Sequence, residues 1–489
     1  MAARSCTRAL QGLLVLAALL VAPKAQAEPF PAEALAAADT STLASSALGL
    51  DELVALALAN NRQIRVESVR IGEARALYEL AAAQAYPSFS GQFLFGGPVS
   101  EAKTAVKNDP STLTPASYEG DTNYGNLGVT LRFTASGFLP IYTFGKIGSA
   151  KEAATGVVHA AEEKVHITEG EVIVNIHRAF WAYQLTAGFT SSLREGADIL
   201  VKVIKKVDDL LERESPQVTE NDRLRLTHAQ ATLQVRLIEA ESAQRIAEAA
   251  LKLLIGRPQS EALIVRDADI EELPTPPPAL GLMSEALGQR RPELRALKQL
   301  VEAQDAFLRF RTRQLLPDIF IGGFLETALT TNATDQTNPF IYDRFNFFDA
   351  GVGLGMRFEL DVFNKLALIE QAEAELNTRL AESDAAKEAI ELELRKIHTD
   401  LMGLYGRLEP AEKAFRAARG WLTAAVLAYD IGTGSARELI DAFLARAAAE
   451  GDLRRTQYEI QIGSADLLRA AGTLVEEARL RGGAHTSER

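Results

Sequence analysis

Ile390, Leu394, Ile397, Leu401, Leu404, Leu408, Ala411, Phe415, Ala418 and Leu422 follow one another at alternating spacings of four and three. That is a coiled-coil seam, because an apolar residue roughly every 3.5 positions keeps one edge of a helix turned to a partner. An earlier stretch shows the same pattern at Leu193, Ala197, Leu200, Ile204, Val207 and Leu211. The spacing predicts helices over about 145–213 and about 365–431, each on the order of 100 Å long at about 1.5 Å per residue. Pro410 lies inside the second and is expected to bend it or mark a local break. Helices of this length outsize any single globular core.

The two seams belong to a duplication. "RQIRVES…AAQAYPSFSG" (62–91) lies over "PELRALK…RTRQLLPDIFI" (292–321), pairing Arg65 with Arg295, Gln84 with Gln314 and Pro87 with Pro317 at an offset of 230. "LRFT" (131–134) lies over "MRFE" (356–359) at 225, and "ALKLLIG" (250–256) over "DLLRAAG" (466–472) at 216. An offset that shortens in steps means loops of different length between matching elements. Each copy reads helix, strand, strand, long helix, helix, and units longer than 200 residues exclude a short-repeat solenoid.

The strands are recognised by strict alternation. In "DAGVGLGMRFELDVF" (349–363), Ala350, Val352, Leu354, Met356 and Phe358 stand against Asp349, Gly351, Gly353, Gly355, Arg357 and Glu359. The glycines are two apart, so they do not form a dinucleotide loop, which needs G-x-G-x-x-G opening a helix. Three more segments alternate in the same way: Phe89, Phe93 and Phe95 against Ser88, Ser90 and Gln92; Leu127, Val129, Leu131 and Phe133 against polar neighbours; and Ile319, Ile321 and Leu325 against Asp318 and Glu326, with Phe320 and Phe324 blurring the polar face. Four such strands with an apolar and a polar face are what a transmembrane barrel needs, but known membrane barrels have about eight or more. An open edge is not tolerated in lipid, so several chains must share one barrel. Glycines on the polar face are expected where the inner wall is crowded or the strands bend.

Arg4 and Arg8, the apolar run Leu13–Val21 and Ala25-Gln26-Ala27 have the layout of a secretory signal peptide. The only cysteine, Cys6, precedes that run, so a mature chain starting near Glu28 is expected to carry no disulfide and no lipid anchor. Loss of Arg4, Arg8 and Lys24 leaves 49 basic against 65 acidic residues, a balance of −16 that argues against nucleic-acid binding. His159, His166, His177, His228 and His398 are scattered without H-E-x-x-H or clustered carboxylates, and G-x-S-x-G is absent. No catalytic residue, metal site or cofactor is expected, and the chain reads as a non-enzyme.

With "LGLDELVALALANNRQIR", "LPIYTFGKIGSAKEAA", "RRPELRALK", "QLLPDIFIGG", "VFNKLALIEQAEAEL" and "YDIGTGSARELIDA" in this order, the chain resembles the TolC-like outer-membrane efflux channels from about Leu48 to Gly472. The resemblance implies a homotrimer in the outer membrane, with a shared twelve-stranded β-barrel continuing into a trimeric α-barrel across the periplasm. It implies an exit duct of a tripartite efflux or type I secretion system, fed by an inner-membrane pump through a periplasmic adaptor. It also implies a periplasmic gate at the helical tip, where Asp222 and Tyr429 match gate positions and Glu438 and Asp441 fall where an acidic ring occurs. The family's partner arginine falls on Gly434, and Arg437, three residues on, is the candidate replacement. Ser435 with Glu438, and Thr219 with Asp222, also have helix-capping spacing; by that account Asp441, a turn deeper, is the better pore acid. Phe93, Leu131, Val352 and Leu354 are the expected lipid-facing strand residues.

The expected fold is mainly α with membrane β-barrel strands. The expected order is a signal peptide over 1–27, an N-terminal segment over 28–47 and a first repeat over 48–271 with strands at about 87–97 and 123–135. A Pro-rich linker (272–278) leads to a second repeat over 279–475, with strands at about 317–329 and 346–360, and a polar tail over 476–489. The polar strand-connecting segments 98–122 and 330–344 are expected outside the cell, so that a tag near Ser111 would be reached on intact cells. The alternative is a periplasmic adaptor or coiled-coil scaffold of the envelope, which calls for one hairpin flanked by compact β domains.

Overall fold

The computed structural model describes residues 47–106, 118–214, 218–267, 270–333, 343, 345–431 and 433–486. The expected signal peptide and the tag position at Ser111 lie outside the described residues. The chain divides into two units. In the smaller, Leu48 forms a parallel bridge with Val265, its N–H donating to the Ile264 carbonyl at 2.9 Å.

The larger unit, Gly49–Leu263 with Asp267–Arg489, holds every helix and strand of the described residues. Its first copy is α1 (Leu50–Asn60), α2 (Arg62–Ala83), β1 (Ser88–Val106), β2 (Tyr118–Tyr142), α3 (Lys146–Glu212) and α4 (Glu220–Leu254). Its second copy is α5 (Leu280–Ser284), α6 (Leu287–Arg290), α7 (Pro292–Arg313), β3 (Asp318–Thr330), β4 (Phe347–Arg357), α8 (Val362–Asp430) and α9 (Ala436–Ala471), followed by α10 (Leu474–Thr486). The duplication is visible in the lengths: α2 and α7 each have 22 residues, and the strands after them start 230 positions apart. In both copies a proline (Pro87, Pro317) separates helix from strand, where its missing N–H costs no ladder bond.

The long helices form as the seams require. Leu200 and Val207 of the first seam and Leu422 of the second are buried in one cluster; Ile390, Leu394 and Leu401 are buried in another. α8 runs through Pro410 without the break the sequence allowed; the proline removes one bond to Gly406, and packing on both sides holds the rest.

The strands form one antiparallel sheet in the order β1-β2-β3-β4, so β1 and β4 are its edges. β1 and β2 extend well beyond the expected 87–97 and 123–135, pairing from Glu101↔Asn123 to Val106↔Tyr118 past two register shifts. The ladder is made of backbone, so it continues where the apolar alternation that marks it in sequence has stopped. β4 ends at Arg357, short of the expected 360, because its partner β3 begins at Asp318, opposite Arg357.

Register sorts the side chains into two faces. One carries rows such as Phe93–Phe133–Thr327–Phe348 and Leu139–Ile321–Leu354, with Val352 85 % and Leu354 75 % exposed. The other carries Ser90–Ser136–Phe324–Gly351 and Gln92–Thr134–Glu326–Asp349. The glycine run is explained here. A Cβ on Gly351 would lie 2.6 Å from the Phe324 ring, and one on Gly355 2.6 Å from the Phe320 ring, whereas Gly353 has open space. The two phenylalanines that blurred the polar face lie across the glycines of the neighbouring strand, an aromatic cover for exposed backbone.

α10 is tied back to α3 by Arg479, which donates to both Glu169 oxygens at 2.8 Å. Nearby, burial and then the charge of Arg481 push His177 down from 6.5 to about 4. A depressed base binds protons more readily unfolded, so its contribution to stability is complete above pH 6.5 and is lost as pH falls towards 4. Denaturation followed by circular dichroism should show His177→Gln flattening the acid slope across that window.

Candidate functional site: the helical tip

The long helices pair off at one end of the larger unit. α3 ends at Glu212 and α4 begins at Glu220, and α8 ends at Asp430 and α9 begins at Ala436. Beneath the turns, Val203 and Val207 of α3, Leu226 of α4, Tyr429 of α8 and Leu439, Ile440 and Phe443 of α9 share one buried cluster.

All five expected gate residues lie at this tip. Asp222 closes a capping box: its carboxylate accepts from the Thr219 N–H at 3.0 Å and the Thr219 hydroxyl at 2.7 Å, and its own N–H donates to Thr219 Oγ1 at 3.3 Å. Every hydrogen bond of this carboxylate is thus local to the start of α4. At the other turn the box is half made. Ser435 Oγ accepts from the Glu438 N–H at 3.2 Å, and no return bond from the Glu438 carboxylate is present.

Tyr429 is 8 % exposed, and its hydroxyl has no hydrogen-bond partner among the described residues. Burial, then the charges of Asp222 and Asp430, raise its phenol above the usual range. Lys206 of α3 holds the opposite charge, its Nζ 5.0 Å from the Tyr429 ring centroid and 3.1 Å from Asp430 Oδ1. Arg223 reaches Asp208 at 2.8 Å, tying α4 to α3. Sequence reasoning passed over these cations, although the run Lys205-Lys206-Val207-Asp208-Asp209 marks alternating charge at the end of the seam.

Glu438 and Asp441 are exposed on the first turns of α9. Arg437 lies 3.8 Å from Asp441 along its own helix, an exposed pair worth at most about 1 kcal/mol. Among the described residues Glu438 has no ion pair, so it, rather than Asp441, is the uncompensated acid there. Gly434 also has a reason. The Thr433 and Gly434 N–H groups both donate to the Ala428 carbonyl, and a Cβ at 434 would lie 2.8 Å from the Tyr429 nitrogen. No side chain, arginine included, fits this turn as built.

Residues 282–473 match the family described as outer membrane efflux protein. Among curated relatives, the probable outer membrane lipoprotein SilC of Salmonella typhimurium is 24 % identical, with 86 % of this chain and 85 % of that protein covered. The cation efflux system protein CusC of Escherichia coli K12 is 23 % identical over 86 % and 85 %. Among solved structures, the outer membrane protein VceC from Vibrio cholerae superposes with a TM-score of 0.67 at 17 % identity, covering 86 % of this chain and 96 % of that one. The TolC-like recognition and fold class drawn from the sequence agree with these matches, as does an outer-membrane location. None of these names is an enzyme's. Among the described residues no helix is long and apolar enough to cross a membrane.

Proposed function

We propose that the chain is one third of a passive outer-membrane duct, through which an inner-membrane pump and a periplasmic adaptor discharge their substrates. The observation that carries this reading is a four-stranded sheet with both edges unpaired among the described residues and one apolar face exposed. Such a sheet is stable in lipid only when copies of itself complete a closed barrel. The count of three comes from the family resemblance. Val66, Val69, Leu77 and Leu80, exposed along α2, support a further surface for a second copy. Phe93, Leu131, Val352 and Leu354 then face lipid, and the row with Gly351 and Gly353 faces the lumen. The adaptor alternative loses ground because two helical hairpins share one sheet here, in place of one hairpin between β domains.

In this reading the tip is the gate. Three copies bring Glu438 and Asp441 around one axis, where converging carboxylates concentrate cations and repel anions. Tyr429 meets its hydroxyl partner on a neighbouring copy or in water, and Lys206 holds α3 to α8 beside it. Single-channel recording in a planar bilayer tests the duct and its gate together. The wild type should conduct weakly at rest, prefer cations and be blocked by multivalent cations from the tip side. Glu438→Gln with Asp441→Asn should weaken selectivity and block, and Lys206→Met should raise resting conductance. Absence of any conductance overturns the duct; unchanged selectivity and block in the double variant overturn the acidic ring.

A further inference from the structure

At the foot of the sheet, where the strands meet the helices, a cavity of about 630 Å³ opens on the polar face, with Phe138, Pro140, Asp318, Arg357, Phe358 and Lys365 in its wall. Phe138 packs on Phe320 with centroids 4.6 Å apart, and the Arg357 guanidinium lies 4.4 Å from the Phe138 centroid. Phe320 and Phe324 lie on the backbone of Gly355 and Gly351, while Gly353 between them leaves open space. The rings therefore form an angled shelf on glycine backbone, with Phe138 in the cavity wall and Phe320 beside it at 38°; Phe324 remains half exposed.

The charges around the shelf are unequally committed. Lys146 holds Asp318 at 2.8 Å, Lys365 lies 3.4 Å from Glu359, and Asn364 donates to Asp361 at 3.0 Å. Each of these acids has a close partner. Among the described residues Arg357 has only Asp318 at 4.0 Å, so its outer N–H groups are the uncommitted donors. A guanidinium stacked on a ring keeps its edge free for a planar oxyanion, and a ring beside it takes another ring.

We infer that this shelf binds planar aromatic anions, stacking the ring on Phe138 and Phe320 and pairing the anionic group with Arg357. The inference rests on the reading that this face lines the duct. Isothermal titration of the full-length protein in detergent, corrected against detergent alone, tests it with 2-naphthalenesulfonate and cyclohexanesulfonate as probes. The aromatic probe should bind roughly tenfold more tightly than the saturated one. Arg357→Gln should weaken it by about tenfold, and Phe320→Leu, which still covers Gly355, should abolish the preference between probes. Equal binding of both probes, or unchanged binding in Arg357→Gln, overturns the shelf. Bilayer conductance of the same preparation separates the two readings: conductance without binding overturns the shelf alone, and binding without conductance overturns the duct and keeps the shelf.

Discussion

Replacing Arg291 with methionine should destabilise the helical part of the larger unit by about 3–5 kcal/mol, the cost of breaking a buried charge pair from one side. Arg291 is only 2 % exposed, at the N-cap of α7. Its Nη2 donates to Glu393 of α8 at 2.7 Å, its Nη1 to the Arg469 carbonyl of α9 at 3.0 Å, and its Nε lies 3.1 Å from Glu293. Glu393 also accepts from Arg469 at 2.7 Å, so one carboxylate bridges two arginines and three helices. Burial pushes Glu393 up, but the charge of Arg291 with the charge and hydrogen bond of Arg469 holds it below the usual carboxylate range. A lowered acid contributes stability above its unfolded pKa and loses it as pH falls through the folded one, so the network should weaken in acid. Because Glu393 is partly solvated and keeps Arg469, the lower end of the range is expected. Arg291→Met with Glu393→Gln should recover little of the loss, since the second change takes the carboxylate away from Arg469 as well. Denaturant unfolding followed by circular dichroism checks both; a single variant as stable as the wild type would contradict the network's role.

Val352→Arg should cost about 2–4 kcal/mol, as a cation does at the mid-membrane level of a barrel's lipid face. Val352 is on the exposed apolar face, opposite Gly323 on β3. Gly353→Ser, one residue on and on the other face, should be nearly neutral, because a Cβ there meets nothing within 4 Å. Gly355→Ser is expected to be worse than Gly353→Ser, since its Cβ would press on the Phe320 ring. Yields of assembled, heat-resistant oligomer from the three variants would order them. Equal tolerance at 352 and 353 would contradict the assignment of faces.

The long helices and the core of each strand were legible because both rest on periodicity, and periodicity is written in side chains. Leu394 and Leu401 lie buried where the seam puts them. The extension of β1 and β2 was not legible, because paired backbone continues without an apolar face to mark it. Phe320 and Phe324 read as exceptions on a polar strand until register laid them over Gly355 and Gly351, a relation between strands that no single strand records. At the tip, capping spacing was visible, but which box closes was not, since it depends on one rotamer of Asp222 or Glu438. Lys206 and Arg291 act between elements far apart in the chain, which is why local motifs passed over both.

In the proposed duct, three copies of this chain close one barrel in the outer membrane. The most direct measurement of this assembly is the mass of the full-length protein extracted from separated outer membranes in detergent, by light scattering with the detergent contribution subtracted. Recovery from the outer-membrane fraction at three times the protomer mass is the predicted result. A monomer recovered in the soluble periplasmic fraction would contradict it.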